Sequence, residues 1–110
     1  GKLPADLPQR GPAAGLIELP RTPLTIRLAV EPTDPLDCRL KIDRLRPDPM
    51  PLSDLAPTLR DIRRNVPGFD ARTPVYLVAA DRVPWEHVVN AYNAALFAGF
   101  EKIFFAEAER

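Results

Sequence analysis

Residues 75–106 read VYLVAADRVPWEHVVNAYNAALFAGFEKIFFA, and this stretch decides the fold. The apolar run at each end is typical of a strand that is covered on both faces or lies centrally in a sheet. Between the two runs, apolar residues recur every three or four positions, which predicts a helix. Pro84 suits the first turn of that helix, and Gly99 suits the left-handed residue that closes it. The order strand, helix, strand predicts two parallel strands with a right-handed crossover.

Two further strands are predicted upstream of this unit. Apolar and polar residues alternate over residues 24–31 and again over 38–43, which indicates adjacent antiparallel strands with one solvated face. A turn over residues 31–35 joins them. Three prolines then end the second strand, because a central strand needs its amide donors. These are Pro47, Pro49 and Pro51.

A second helix follows these prolines. Ser53 is placed to cap it, and its arginines are expected to form a solvated face. The apolar stripe consists of Leu55, Leu59, Ile62 and Val66, and the opposite side carries Arg60, Arg63 and Arg64. The element order is therefore β-β-α-β-α-β. We expect a two-layer α+β fold with both helices on one face of a mixed four- to five-stranded sheet.

Composition limits the classes of function. The 110 residues suffice for one domain, and 15 basic residues balance 15 acidic ones. A net charge of zero argues against nucleic-acid binding, which depends on a basic surface. Cys38 is the single cysteine, which excludes an internal disulfide and a Cys-x-x-Cys redox pair.

The chain divides into two regions. Residues 1–20 are rich in proline and small residues and are predicted to be an extended tether. Residues 21–110 are predicted to form the folded domain. Because the sequence begins Gly1-Lys2 without an initiator methionine, we expect it to be a piece of a longer chain.

No arrangement of residues predicts catalysis, a metal site or a cofactor. His87 is the only histidine and is expected on the polar face of its helix. Ser53 has no His-Asp arrangement near it, and no glycine-rich phosphate loop follows a strand. Asp81 lies between a strand end and a helix start, where a carboxylate accepts hydrogen bonds from open amides. Trp85 and Tyr92 share the helix stripe and are expected to pack in the core. We expect the protein not to be an enzyme.

One face of the predicted sheet has nothing in the chain to cover it. The first two strands place polar side chains there, whereas the later strands add an apolar strip. That strip consists either of Tyr76 and Val78 with one of the phenylalanines at 104 and 105, or of Val75 and Leu77 with the other phenylalanine. The candidate interface residues are Tyr76, Val78, Phe104 and Phe105. An exposed apolar strip usually marks an interaction surface, and the simplest partner is a second copy of the chain.

The carboxy-terminal third resembles a known family. Residues 73–109 read TPVYLVAADRVPWEHVVNAYNAALFAGFEKIFFAEAE and look like the end of the ExbD/TolR family of biopolymer-transport proteins. The likeness covers about residues 16–109 and is strongest over 73–107. The matching positions are Ala80-Asp81-Arg82 and the aromatic Trp85 at the helix start, Gly99-Phe100 at its stop, and Lys102-Ile103 in the last strand. Pro84 and Trp85 replace residues that are commoner in the family's turn.

The resemblance implies a periplasmic domain of a bacterial inner-membrane protein with one N-terminal membrane helix. Family members form homodimers beside an ExbB/TolQ-like multi-spanning protein. Together they use the proton motive force for energy transduction to a TonB-like or TolA-like protein, in transmembrane and protein transport or in motility. Some relatives bind peptidoglycan. The family's proton-carrying Asp lies in the membrane helix, so the resemblance assigns it to no residue of this chain.

Two other functions compete with this one. A non-catalytic α+β interaction or ring-building module of an envelope secretion assembly would form assemblies larger than dimers. A small enzyme or ligand-binding regulatory domain would need a deep polar pocket and a titratable cluster.

Overall fold

The computed structural model describes residues 21–108, so the predicted tether of residues 1–20 lies outside the described residues. Within residues 21–108, five strands, two helices and one 3-10 turn follow one another. They are β1 (Leu24–Glu31), β2 (Asp34–Ile42), β3 (Arg46–Pro51), the 3-10 turn (Leu52–Asp54), α1 (Leu55–Asn65), β4 (Pro74–Ala79), α2 (Trp85–Phe97) and β5 (Lys102–Glu107). Within this part of the chain, neither helix is long and apolar enough to cross a membrane.

The strands form one mixed sheet in the order β3-β2-β1-β4-β5. β1 and β2 are antiparallel, and so are β2 and β3. β4 pairs in parallel with β1 on one side and with β5 on the other. The predicted two-layer α+β fold is confirmed, including the antiparallel first pair and the parallel strands of the βαβ unit.

Strand β3 was not predicted from the sequence. The prolines in this segment were expected only to end the preceding strand. Strand β3 is an edge strand, and it contains Pro47, Pro49 and Pro51. Prolines at alternate positions lack their amide donors along the same side of a strand. An edge strand has one side without a neighbour, so it tolerates all three prolines. The prediction was wrong because it treated this segment as if it had to be central.

The core lies between the two helices and one face of the sheet. From the sheet, it is formed by the even-numbered apolar residues of β1 and β2 and by the odd-numbered ones of β4. Each fully buried side chain of this size stabilises the fold by about 1.5–3 kcal/mol. The largest fully buried residues include Leu24, Ile26, Leu28, Leu40, Ile42, Leu55, Leu59, Ile62, Leu77 and Phe100.

Helix α1 begins without the serine cap that was predicted. Ser53 lies inside the 3-10 turn, and neither the turn nor α1 has a side-chain cap. The turn leads directly into the helix, and the Leu55 amide donates to the Leu52 carbonyl oxygen. A hydroxyl is therefore not needed at this position. The predicted apolar stripe is confirmed, since Leu55, Leu59 and Ile62 are fully buried.

Helix α2 ends in a Schellman motif. Gly99 has a φ of 103°, and its amide donates to the Leu96 carbonyl oxygen at 3.0 Å. The Phe100 amide donates to the Ala95 carbonyl oxygen at 3.1 Å, and the Phe100 ring is buried. Arg63 of α1 completes this end of the helix, because its Nε donates to the Ala98 carbonyl oxygen at 2.7 Å. Arg63 is therefore half-buried, although the sequence predicted a solvated residue.

Candidate interaction surface

The register of β4 and β5 divides the four candidate interface residues between two faces of the sheet. Tyr76 is paired with Phe104, and Leu77 with Phe105. Because Leu77 is buried beneath the helices, Phe105 lies on the helix-covered face. Tyr76, Val78 and Phe104 share the opposite, open face.

The apolar strip on the open face is narrow. The rings of Tyr76 and Phe104 are in contact, with centroids 5.5 Å apart. Val78 is only 8% exposed, so its side chain offers little surface to a partner. Phe104 is the exposed residue of the three. The strip that a partner could cover on this face is therefore mainly one phenylalanine ring at the edge of the sheet.

A larger apolar area lies on the helix side of the same edge. Phe105 is 51% exposed, and its ring contacts Trp85 with centroids 5.3 Å apart. It also stacks on Tyr92 at 5.6 Å. Trp85 is 63% exposed, so the expectation that it packs in the core is wrong. Together these rings form an exposed aromatic cluster between α2 and β5.

Helix α2 is apolar on two sides, which explains the exposure of Trp85. The side that faces the sheet carries small residues, and Ala91 and Ala95 are fully buried. Small residues let the helix axis approach the sheet closely, and Val88 is buried with them, whereas other large apolar residues of α2 lie to the side of that contact. The exposed side carries Trp85, Val89 and Leu96, spaced four and seven residues apart.

The two edges of the sheet differ in how they are protected. The β3 edge contains three prolines, which remove hydrogen-bond donors and are a common protection of edge strands. The β5 edge has no strand beside it within the described part of the chain, and its middle residues are Ile103, Phe104, Phe105 and Ala106. We call this edge, together with Trp85, Val89, Leu96, Phe104 and Phe105, the β5 edge surface. An apolar edge strand of this kind is suited to pairing with another strand.

Asp81 lies in the turn between β4 and α2. Its side chain is exposed, and the start of α2 has no side-chain cap. The first turn is closed through the backbone instead, since the His87 amide donates to the Pro84 carbonyl oxygen at 3.0 Å. Arg82 beside it has a φ of 74°, a left-handed conformation that is uncommon for arginine. The structure thus gives Asp81 no part in the helix start.

His87 is buried, not exposed on the polar face as predicted. Its Nε2 lies 2.8 Å from the Pro35 carbonyl oxygen, so Nε2 carries the proton and donates it. Nδ1 is buried without a hydrogen-bond partner. This contact attaches α2 to the start of β2. The spacing contained the signal, because His87 precedes Ala91 and Ala95 by four and eight residues and shares their buried face.

Residues 21–108 contain no group of three His, Cys, Asp or Glu side chains that could hold a metal ion. Cys38 is a buried thiol whose pKa is raised, mainly by burial, which disfavours the thiolate needed for nucleophilic chemistry. Arg21 holds the pKa of Asp70 below its usual value through a hydrogen bond, and the Arg72 amide donates to the same carboxylate. Asp70 is exposed and fixes the loop ahead of β4.

Comparison with known proteins adds no relative, since no family model and no curated protein matches the chain. The likeness to the ExbD/TolR family therefore rests on the residue pattern and on the order of the elements.

Proposed function

We propose that residues 21–108 form a non-catalytic dimerisation module of a force-transmitting envelope protein of the ExbD/TolR kind. The observation that carries this proposal is the β5 edge surface, which combines an open strand edge with exposed aromatic and aliphatic residues. Aromatic residues are enriched in the buried centres of protein interfaces.

Two copies related by a two-fold axis perpendicular to the sheet would pair β5 with β5 in antiparallel fashion. Each edge would then satisfy the backbone groups of the other, and the two sheets would become one. The same axis would bring the two α2 helices together on one face. Trp85 and Leu96 of each copy would be covered there, and the Phe104 rings would meet on the opposite face.

The β3 edge favours a dimer over a ring. A ring or filament built by strand pairing needs a β5 edge against a different edge, and within residues 21–108 the other edge of this sheet is β3. Pro47, Pro49 and Pro51 reduce the donors available there. Pairing therefore closes after two copies, which argues against the ring-building alternative.

In this role the domain works outside the inner membrane, in the bacterial periplasm. It requires a membrane anchor of about 20 apolar residues ahead of residue 1. An ExbB/TolQ-like partner would act on that anchor. The dimer would pass the resulting movement to a TonB-like or TolA-like protein, and peptidoglycan is a further candidate contact.

The substitution Leu96→Arg tests the dimer surface. Leu96 is 46% exposed on α2, so arginine is tolerated in the monomer but would bury an unpaired charge in the dimer. We expect the dimer dissociation constant to rise about tenfold or more, measured by sedimentation velocity over a dilution series.

Leu36→Arg is the matched control, because Leu36 is 78% exposed and lies in β2, away from the β5 edge surface. This variant is expected to dimerise like the wild type. A wild-type domain that stays monomeric at the highest concentration, or equal association of both variants and the wild type, would refute the proposed surface.

A further inference from the structure

A cleft on the open face has no part in the proposed dimer. It measures about 460 Å³ and lies over β1, β2 and β4. Arg27, Arg39 and Lys41 form the cationic part of its lining, Val78, Ala80 and Ala108 form an apolar part, and Glu31 and Pro49 also line the cleft. The cleft therefore combines a cationic part and an apolar part, with one acidic residue, Glu31, also in its lining.

The cations stand close together because of the strand register. Arg27 lies directly opposite Lys41, and Arg39 lies opposite Ala29, two residues further along β1. Like charges in directly opposed positions destabilise a sheet.

Two of the three cations are balanced by neighbouring carboxylates. Asp43 accepts from Arg27 at 2.8 and 3.0 Å, and Asp37 accepts from Arg39 at 3.3 Å. Lys41 has no ion pair within 4.0 Å among residues 21–108. The cleft is thus lined by a lysine that forms no ion pair among residues 21–108, and this lysine is opposite Arg27 and two residues beyond Arg39.

We propose that this cleft binds an acidic segment of a partner protein, with one carboxylate at Lys41 and a neighbouring apolar side chain against the exposed apolar residue Ala80. Charge complementarity supports this occupant. Asp37 in β2 and Asp43 just after it flank Arg39 and Lys41 at alternate positions, and Glu31 lines the cleft on β1, so these acids repel a ligand with charges along its whole length. A single carboxylate at Lys41 lies four residues along β1 from Glu31, since Lys41 is opposite Arg27. A nucleic acid or a sulfated polysaccharide would extend to Glu31 and to the flanking aspartates.

The inference is independent of the proposed dimer. The cleft lies on β1, β2 and β4, whereas the β5 edge surface lies at the far edge and around α2. Leu96→Arg should therefore leave peptide binding unchanged. Measuring dimer formation and peptide binding on the same samples distinguishes failure of one proposal from failure of the other.

The probe is a capped peptide of sequence Ala-Glu-Leu-Glu-Ala, titrated into the labelled domain and followed by amide NMR shifts. We expect shifts at Arg27, Lys41 and Ala80. The isosteric peptide Ala-Gln-Leu-Gln-Ala should bind about tenfold more weakly, because it lacks the charge that pairs with Lys41. Binding of the acidic peptide should weaken with added salt.

The variant Lys41→Gln should bind the acidic peptide about tenfold more weakly. Lys102→Gln is the matched control, since it removes an exposed lysine from the same face at the far end of β5 and should bind normally. The melting temperature of Lys41→Gln should be unchanged or raised, because a like-charge contact is relieved.

Three results would overturn the inference. Equal binding of the Glu and Gln peptides would remove the role of charge, and unchanged binding by Lys41→Gln would remove the role of that residue. Tighter binding of dextran sulfate than of the acidic peptide would assign the cleft to polyanions. A fall of more than about 4 °C in the melting temperature of Lys41→Gln would make the residue structural instead.

Discussion

Replacing Gly99 by alanine is expected to lower the free energy of unfolding by about 3 kcal/mol, from two causes of similar size. Gly99 has a φ of 103°, where a residue with a side chain is strained. An added Cβ would also lie 2.7 Å from Arg63 Nε, and that nitrogen donates to the Ala98 carbonyl oxygen. The substitution therefore strains the backbone and displaces the arginine that completes the end of α2. Urea denaturation at one fixed protein concentration measures the loss.

Gly68→Ala separates the two causes. Gly68 has a φ of 92°, close to that of Gly99, but an added Cβ there would meet no atom within 4 Å. We expect this control to lose only the backbone contribution, about 1–2 kcal/mol. Equal losses for the two variants would show that Arg63 contributes nothing to the end of α2.

Phe100→Ala is expected to cost about 3–5 kcal/mol, the range for removing a fully buried aromatic ring. Phe100 is 1% exposed and follows the left-handed Gly99, which turns the chain back over the core. Alanine at this position would leave a cavity at the end of α2. Thermal and urea unfolding both measure the effect.

Phe97→Ala is the matched control, because Phe97 lies three residues earlier and is 75% exposed. Its ring contacts Arg60, whose guanidinium carbon lies 5.0 Å from the ring centroid. Losing an exposed contact of this kind costs at most about 1 kcal/mol. Equal destabilisation by Phe97→Ala and Phe100→Ala would contradict the assignment of Phe100 to the core and of Phe97 to the surface.

Much of the fold could be predicted from local pattern. The alternation of β1 and β2 and the spacing between β4, α2 and β5 determined the pairing of those strands. Strand β3 could not be predicted, because three prolines indicate a break unless the segment is known to be an edge. Whether a strand lies at the edge depends on the order of all the strands in the sheet.

The candidate surface was predicted less well. Phe104 and Phe105 are neighbours in a strand and must face opposite ways, but only the register with Tyr76 and Leu77 decides which one lies under the helices. Trp85 was expected to be buried and is exposed, whereas His87 was expected to be exposed and is buried, and both differences have one cause. The alanines of α2 define its buried face, and the largest side chain of the helix lies outside it.

The two edges of the sheet differ in their suitability for pairing with another strand. The three prolines of β3 remove backbone hydrogen-bond donors from that edge, whereas the β5 edge is apolar and has no neighbouring strand within the described residues. The cleft between Lys41 and Val78 lies away from both edges. A dimer formed through β5 would therefore present two such clefts, one on each copy.

Single-cysteine scanning of residues 102–107 in a Cys38→Ala background tests the central claim most directly. In antiparallel self-pairing, only residues next to the two-fold axis meet their own counterparts within the roughly 4.4–6.8 Å between Cα atoms that a disulfide requires. We expect oxidation to link the copies strongly at one position, the residue that lies opposite its own counterpart, and not at Leu36→Cys, an exposed control site. Equal linking at every position, or none above that control, would contradict pairing through β5.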